Sequence, residues 1–330
     1  MGKVGFKNLN MENIKTKLKQ SIVLIRIYLF LNRTFFKFFN FLKSLFRPFG
    51  KFQLFRFLIF AFLPEDKIFQ TNVNNINFFI NSSDNVNSKK IFVNRKFPQY
   101  EIFNNCMKVI ELNDLKVEHF YDIGAHYGNI GIPASIDYNF ETVHMYEPNL
   151  LNYQILNINA LINNKSNLFT YNNLIGDVEE LSNFYTFKNN SAASIISNNK
   201  EFIKKYIKLN NLKIEKVFSL KQVKFDDVIK TIPKKSLFWL FCQGEEIRIL
   251  NSSKILKEKS IVSFHYSPLI NSKSDNQEDL LIKNLKKNNY KKIYDLKENL
   301  NESLEISSST FHNLNKKYKS NGSHTILTVI

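Results

Sequence analysis

Apolar and polar positions change their rhythm near residue 65. Between Ser21 and Pro64, runs of Phe, Leu and Ile are interrupted every few residues by a single Lys or Arg. Placed at about 100° per residue, Arg26, Arg33, Lys37, Lys43, Arg47 and Lys51 fall on roughly a third of a helix circumference, with Phe and Leu filling much of the rest. The pattern predicts an amphipathic helix, broken in two by Pro48 and Gly50. Its longest uncharged run is the eight residues Phe57–Pro64, far short of the roughly 18 to 20 that span a bilayer. No small-residue cleavage site follows a compact apolar core, so the segment does not read as a signal peptide either.

From Lys67 the chain turns to short β-like runs among Asn and Ser clusters, as in "INFFINSSDNVNSKKIFVN". An alternation follows. "EHFYDIG", "TVHMYEP" and "NLFTYNNLIG" read as strands, separated by helices at Asn129–Tyr138 and over "NLLNYQILNINALINN". After a charged helix near Asn199–Asn210 and the segment "FDDVIK" come strand "SLFWLFCQ", helix Glu245–Leu256, strand "IVSFHYS", helix Gln277–Lys287 and the closing strand "HTILTVI". Strands alternating with helices predict an α/β fold with a doubly wound, mostly parallel sheet covered on both faces. The expected organisation is a basic helical extension at residues 1–64 and one domain at residues 65–330.

Composition sharpens this in one place. The net charge is +17, and residues 1–64 hold twelve Lys/Arg against the single acid Glu12 and fourteen of the 32 phenylalanines. Such asymmetry points to an anionic surface. Cations set among contiguous Phe and Leu fit the headgroup region of an anionic membrane better than nucleic acid; helices packing on the domain or on a second subunit remain the alternative. Cys106 and Cys242 are too few for a disulfide framework, and no Cys/His spacing suggests a metal site. A cytoplasmic protein is expected, with the extension able to hold it peripherally on the membrane face.

Three of only nine glycines, Gly124, Gly128 and Gly131, fall within "HFYDIGAHYGNIGIP". A dinucleotide loop of the form G-x-G-x-x-G needs glycine where this chain has His126 and Asn129, which disfavours NAD. Asp122 at the end of the first strand and Glu147 at the end of the second suit another ligand, one with an amino acid tail and a ribose but no pyrophosphate. The pair points to S-adenosyl-L-methionine. Each acid also has a plainer reading, Asp122 as a helix cap and Glu147 as a strand-end turn.

The ordered blocks "FYDIGAHYGNIGIP", "VHMYEPNLLNYQILNINALIN", "NLIGD", "SAASI", "VKFDDVIK" and "FWLFCQGEEIRIL" resemble the FkbM-type family of S-adenosylmethionine-dependent methyltransferases over roughly residues 68 to 330. The resemblance implies a class I, Rossmann-like domain that methylates hydroxyl groups on sugars, glycolipids or related metabolites. By motif it places Asp122, Gly124, Gly128 and Glu147 at the cofactor, with Ala125, His126 and Asn129 of the same loop as further candidates and Asn173 to Asp177 near the adenine. The family's first motif has Asn where this chain has His126, and its fourth-strand motif has Asp where this chain has Phe241, while Gln243, Gly244 and Glu246 fit. Losing that Asp removes a general base from the place where it is most useful. Glu246, His265 and His126 are the substitutes, with Gln243 beside them. An O-methyltransferase acting on a glycan, glycolipid or related hydroxyl is therefore expected; the alternative is a catalytically impaired relative that still binds the cofactor.

Overall fold

The computed structural model describes residues 52–268, 277–320 and 324–330. The basic amphipathic pattern up to Lys51 lies outside them. Contacts divide the chain between Ile59 and Phe60, within helix α1 (Gln53–Ala61). Among the described residues no helix is long and apolar enough to cross a membrane.

Strands β1 (Ile68–Val73) and β2 (Ile76–Asn81) form an antiparallel hairpin, followed by α2 (Asn87–Asn94) and α3 (Tyr100–Leu112). The predicted alternation comes next: β3 (His119–Ile123), α4 (Gly131–Asp137), β4 (Thr142–Tyr146), α5 (Leu150–Ile162) and β5 (Leu168–Tyr171). An insertion then carries β6 (Leu174–Gly176), β7 (Glu180–Phe187), β8 (Ile195–Ile196), α6 (Lys200–Asn210), β9 (Ile214–Lys224) and α7 (Phe225–Val228). The chain closes with β10 (Ser236–Leu240), α8 (Glu246–Ser252), β11 (Ile261–Tyr266), α9 (Gln277–Lys287), β12 (Lys292–Asp295), β13 (Leu304–Glu305), α10 (Ser308–Ser320) and β14 (Thr325–Val329).

The central sheet has eight strands in the order β13-β12-β14-β11-β10-β3-β4-β5. Strands β5, β4, β3, β10 and β11 are parallel, and β14 enters antiparallel to β11. The chain winds outward from β3 to β5, then returns to β10 and winds the other way, so the order reverses between β3 and β10. This is a Rossmann-like, doubly wound α/β architecture, and its ligand crevice lies beyond the carboxyl ends of those two strands. Both faces are covered, which is why β10 (SLFWL) and β11 (IVSFHY) are buried at every position. One core contains Phe103, Phe120, Met145, Leu156 and Trp239; the other contains Tyr121, Phe238, Ile249, Phe264, Leu281 and Phe311.

Local chemistry fixes the boundaries. Asn149 caps α5 by accepting from the N–H groups of Leu151 and Asn152, and Asn199 caps α6 by accepting from Glu201 and Phe202. Three expectations need correction. The run "NLFTYNNLIG" is two strands in different sheets, because the Asn172 side-chain amide turns back to donate to the Glu147 and Pro148 carbonyls and breaks the strand. The helix expected to reach Leu256 ends at Ser252. A four-stranded sheet, β6-β9-β7-β8, was not foreseen; β9 is exposed along most of its length, so no alternation marks it.

A buried side chain of α5 helps hold the hairpin to the domain. Asn159, fully buried, accepts from Phe79 N–H (2.5 Å) and donates to the carbonyls of Phe79 (3.0 Å) and Tyr127 (3.0 Å). Asn159→Ala would strand these backbone groups, and we expect urea unfolding to show a loss of about 2–4 kcal/mol.

Candidate functional site

A cleft with about 940 Å³ of empty space, its open mouth included, sits at the switch point. Of the residues singled out from the sequence, Asp122, Gly124, Ala125, His126, Asn129, Glu147, Asn173 and Gln243 line it. Gly128, Asp177, Glu246 and His265 do not.

The loop after β3 is strung between two carboxylates. Asp122, 1% exposed, accepts the Gly131 N–H at 3.1 Å. Glu147, 5% exposed, accepts from His126 N–H (2.9 Å) through one oxygen and from Asn149 N–H (3.0 Å) and the Asn152 amide (3.3 Å) through the other. Among the described residues neither acid has a cationic partner. Burial pushes Asp122 up to about 7, with the Glu147 charge adding to the effect and the Gly131 hydrogen bond opposing it. Burial likewise raises Glu147 to about 7, against its hydrogen bonds from Asn149, His126 and Asn152. The buried Asn129 Oδ1 has no hydrogen-bond partner among the described residues. Two buried carboxylates and an orphaned acceptor fit a ligand that brings positive charge and hydroxyl donors.

The glycines answer to the chain rather than to a ligand. A Cβ on Gly124, whose φ is +93°, would lie 2.2 Å from the Phe241 carbonyl oxygen. One on Gly131 would lie 2.5 Å from Met145 Sδ. Gly124 lets the ends of β3 and β10 come together and so shapes the cleft indirectly.

His126, with φ +55°, donates through Nε2 to Ser191 Oγ at 2.6 Å, and Ser191 Oγ donates to Asp84 Oδ2 at 2.9 Å. The Asn129 amide approaches His126 Nδ1 at 3.3 Å. Burial lowers the imidazole to about 3, so it is neutral, and this hydrogen-bond pattern puts its proton on Nε2. Burial also raises Asp84. Neither Asp84 nor Ser191 stood out in the sequence as a site residue; Asp84 sits in an Asn/Ser-rich turn, and only the block "SAASI" pointed toward Ser191.

The remaining candidates brace the walls. Glu246 accepts from the N–H groups of Cys242 and Gly244, each at 2.7 Å, and so folds the loop after β10. His265 is shielded from the cleft by Phe241, their rings 4.4 Å apart. Asp177 pairs with Arg248 at 3.0 Å. Gln243 lines the cleft while its amide donates to the Ala192 carbonyl at 3.1 Å, tying the insertion to β10. Trp239 and Phe241 share one face, as their alternation predicts; Trp239 packs on Phe103 (5.4 Å), and both line the cleft. At the far end of β3, Glu118, His119 and Glu141 gather within metal-ligand range, but Glu118 is paired with Lys235.

No family model and no curated protein matches the chain. Solved structures similar to it include TYW2 of M. jannaschii in complex with AdoMet (10% identity, 81% of this chain and 87% of that one, TM-score 0.37). They also include a ribosomal protein L11 methylase of Lactobacillus delbrueckii subsp. bulgaricus (10%, 70% and 78%, 0.34). A third is the precorrin-6y C5,15-methyltransferase of Geobacter metallireducens GS-15 (10%, 68% and 86%, 0.32). At these TM-scores the likeness adds nothing to the strand order itself.

Raised carboxyls have a measurable cost. An unfolded Asp releases its proton near pH 4, the folded Asp122 near 7, so raising the pH between those values favours the unfolded chain and stability falls until about pH 7. Asp122→Asn removes this penalty while keeping an acceptor for Gly131. We expect it to raise stability by on the order of 2–4 kcal/mol at pH 8 and by little at pH 4, read from unfolding midpoints at both pH values.

Proposed function

We propose that the chain is a methyltransferase that uses S-adenosyl-L-methionine. The observation that carries this reading is the pair of buried, cation-free carboxylates at the ends of β3 and β4, lining one cleft. Asp122 and Asn129 Oδ1 would take the ligand's ammonium, Glu147 its ribose hydroxyls, and Asn173 and Ile175 would flank the adenine. When bound, the cofactor supplies a methyl group on a sulfonium centre. The chain's own residues then have two tasks: to align the acceptor and to remove its proton.

The finer reading is O-methylation of a glycan, glycolipid or related hydroxyl, as the FkbM-type resemblance implies. It is supported by the cleft's lining, which includes the aromatic Trp239 and Phe241 and the uncharged Asn87, Gln99, Ser191 and Ser194. Of the substitute bases, His126 lines the cleft, whereas Glu246 is engaged by backbone and His265 lies behind Phe241. His126 would accept the proton at Nδ1, which the Asn129 amide approaches at 3.3 Å, because Nε2 already carries the hydrogen donated to Ser191. Asp84, 3.6 Å from Nε2, would stabilise the imidazolium against the burial that disfavours it. The basic extension at residues 1–64 would hold the enzyme on an anionic membrane, on its cytoplasmic face.

Phe241 supports a second reading, a protein that binds the cofactor without transferring its methyl group, since an apolar ring occupies the strand end where the resemblance places a carboxylate.

Calorimetric titration of the full chain with S-adenosylmethionine, together with transfer of labelled methyl from it to a glycolipid extract, tests both. Binding that weakens at least about 100-fold in Asp122→Ala and Glu147→Ala is expected. Absence of binding to the native chain would overturn the proposal, and binding without transfer would favour the second reading. His126→Asn should leave affinity within about threefold while lowering the transfer rate about 10²-fold or more.

A further inference from the structure

The strands of the β1–β2 hairpin and helix α5 carry no charge of their own; beside β1, Arg95 donates to Thr71 and the Asn72 carbonyl. Neither strand (IFQTNV, INFFIN) nor the helix (LLNYQILNINALI) has a Lys, Arg, Asp, Glu or His. The whole chain has 46 basic and 29 acidic residues in 330, a density at which roughly six would be expected here. The elements form one body, because Asn159 bonds Phe79 on both sides and the Asn163 amide donates to the Asn77 carbonyl at 2.9 Å.

On α5, Ile155, Leu156 and Ala160 turn into the core, while Leu150 (59%), Leu151 (43%), Ile158 (37%), Leu161 (69%) and Ile162 (38%) stay exposed. At 100° per residue these five fall within about a third of the circumference, where a surface helix ordinarily presents charge. Ile68 on β1 is exposed as well. The open apolar area is on the order of 400–500 Å², the size that marks an interaction site.

We propose that this face joins two copies of the chain, α5 packing antiparallel on its symmetry mate about a two-fold axis. Area agrees with this occupant. A stable interface takes about 800 Å² from each partner, close to 65% of it apolar in homodimers. Charge agrees too. At a net +17 the molecule repels its own copy, and a face built from uncharged elements is where two copies meet at least cost. A lipid-seeking helix would carry Lys or Arg along its polar face, and α5 carries none. The axis would run beside the cleft, since α5 begins two residues after Pro148, which lines it.

Sedimentation equilibrium of the full chain across about 1–100 μM tests this directly. A dimer is expected, with Leu161→Asp raising its dissociation constant at least about thirtyfold and leaving the far-ultraviolet circular dichroism spectrum and cofactor titration unchanged. Leu161 is mostly exposed, so the variant should fold. A native chain that stays monomeric at 100 μM, or is captured only by lipid vesicles, overturns the proposal. So does a dimer that Leu161→Asp leaves intact. None of these outcomes depends on whether S-adenosylmethionine binds.

Discussion

Asp122 and Glu147 come to rest at the carboxyl ends of adjacent parallel strands, buried and with no cationic partner among the described residues, and much of the surrounding structure is the means of keeping them there. Two carboxyls so placed resist ionisation at neutral pH. Backbone N–H groups from the β3–α4 loop and the start of α5 offset part of that cost. The loop can reach both acids because Gly124 carries no side chain to strike the end of β10. The sheet order supplies the rest, since the reversal between β3 and β10 leaves a crevice beyond their carboxyl ends. A protein selected for stability alone would fill such a place with apolar residues.

The opposite wall comes from chain segments far away in sequence. Ser191, in the insertion after β5, bonds both Asp84, which follows the hairpin, and His126, in the β3–α4 loop. One hydroxyl thus joins three segments around a neutral imidazole. Glu246 holds the fourth segment, the loop after β10, by accepting its N–H groups. Glu246 is engaged by backbone N–H groups and does not line the cleft, whereas His126 and Ser191 do.

The alternating half of the fold was legible in the sequence. Strands such as β10 and β11, buried on both sides, are continuous apolar runs, and helices α5 and α6 announce themselves through Asn caps. Asp122 and Glu147 were legible too, because strand ends in such folds are where ligands sit. The insertion sheet was not, since β9 is solvent-exposed and its partner β7 pairs with it across 27 to 42 positions. For the same reason Asp84 and Ser191 could not be placed: their meaning lies in a contact spanning 107 positions, which no local pattern encodes. Glu246 and His265 failed differently. Their types and positions suited a base, but one is claimed by backbone donors and the other is screened by Phe241.

The central claim is that these two carboxyls exist to receive a cationic, hydroxyl-bearing ligand. Calorimetry of S-adenosylmethionine binding at pH 7, repeated in buffers of different ionisation enthalpy, counts the protons that leave when it binds. Carboxyls near half ionisation before binding and fully ionised afterwards should release about one proton in total, and the release should fade by pH 9. Binding with no proton release at pH 7, at an affinity indifferent to pH between 6 and 9, would contradict the account.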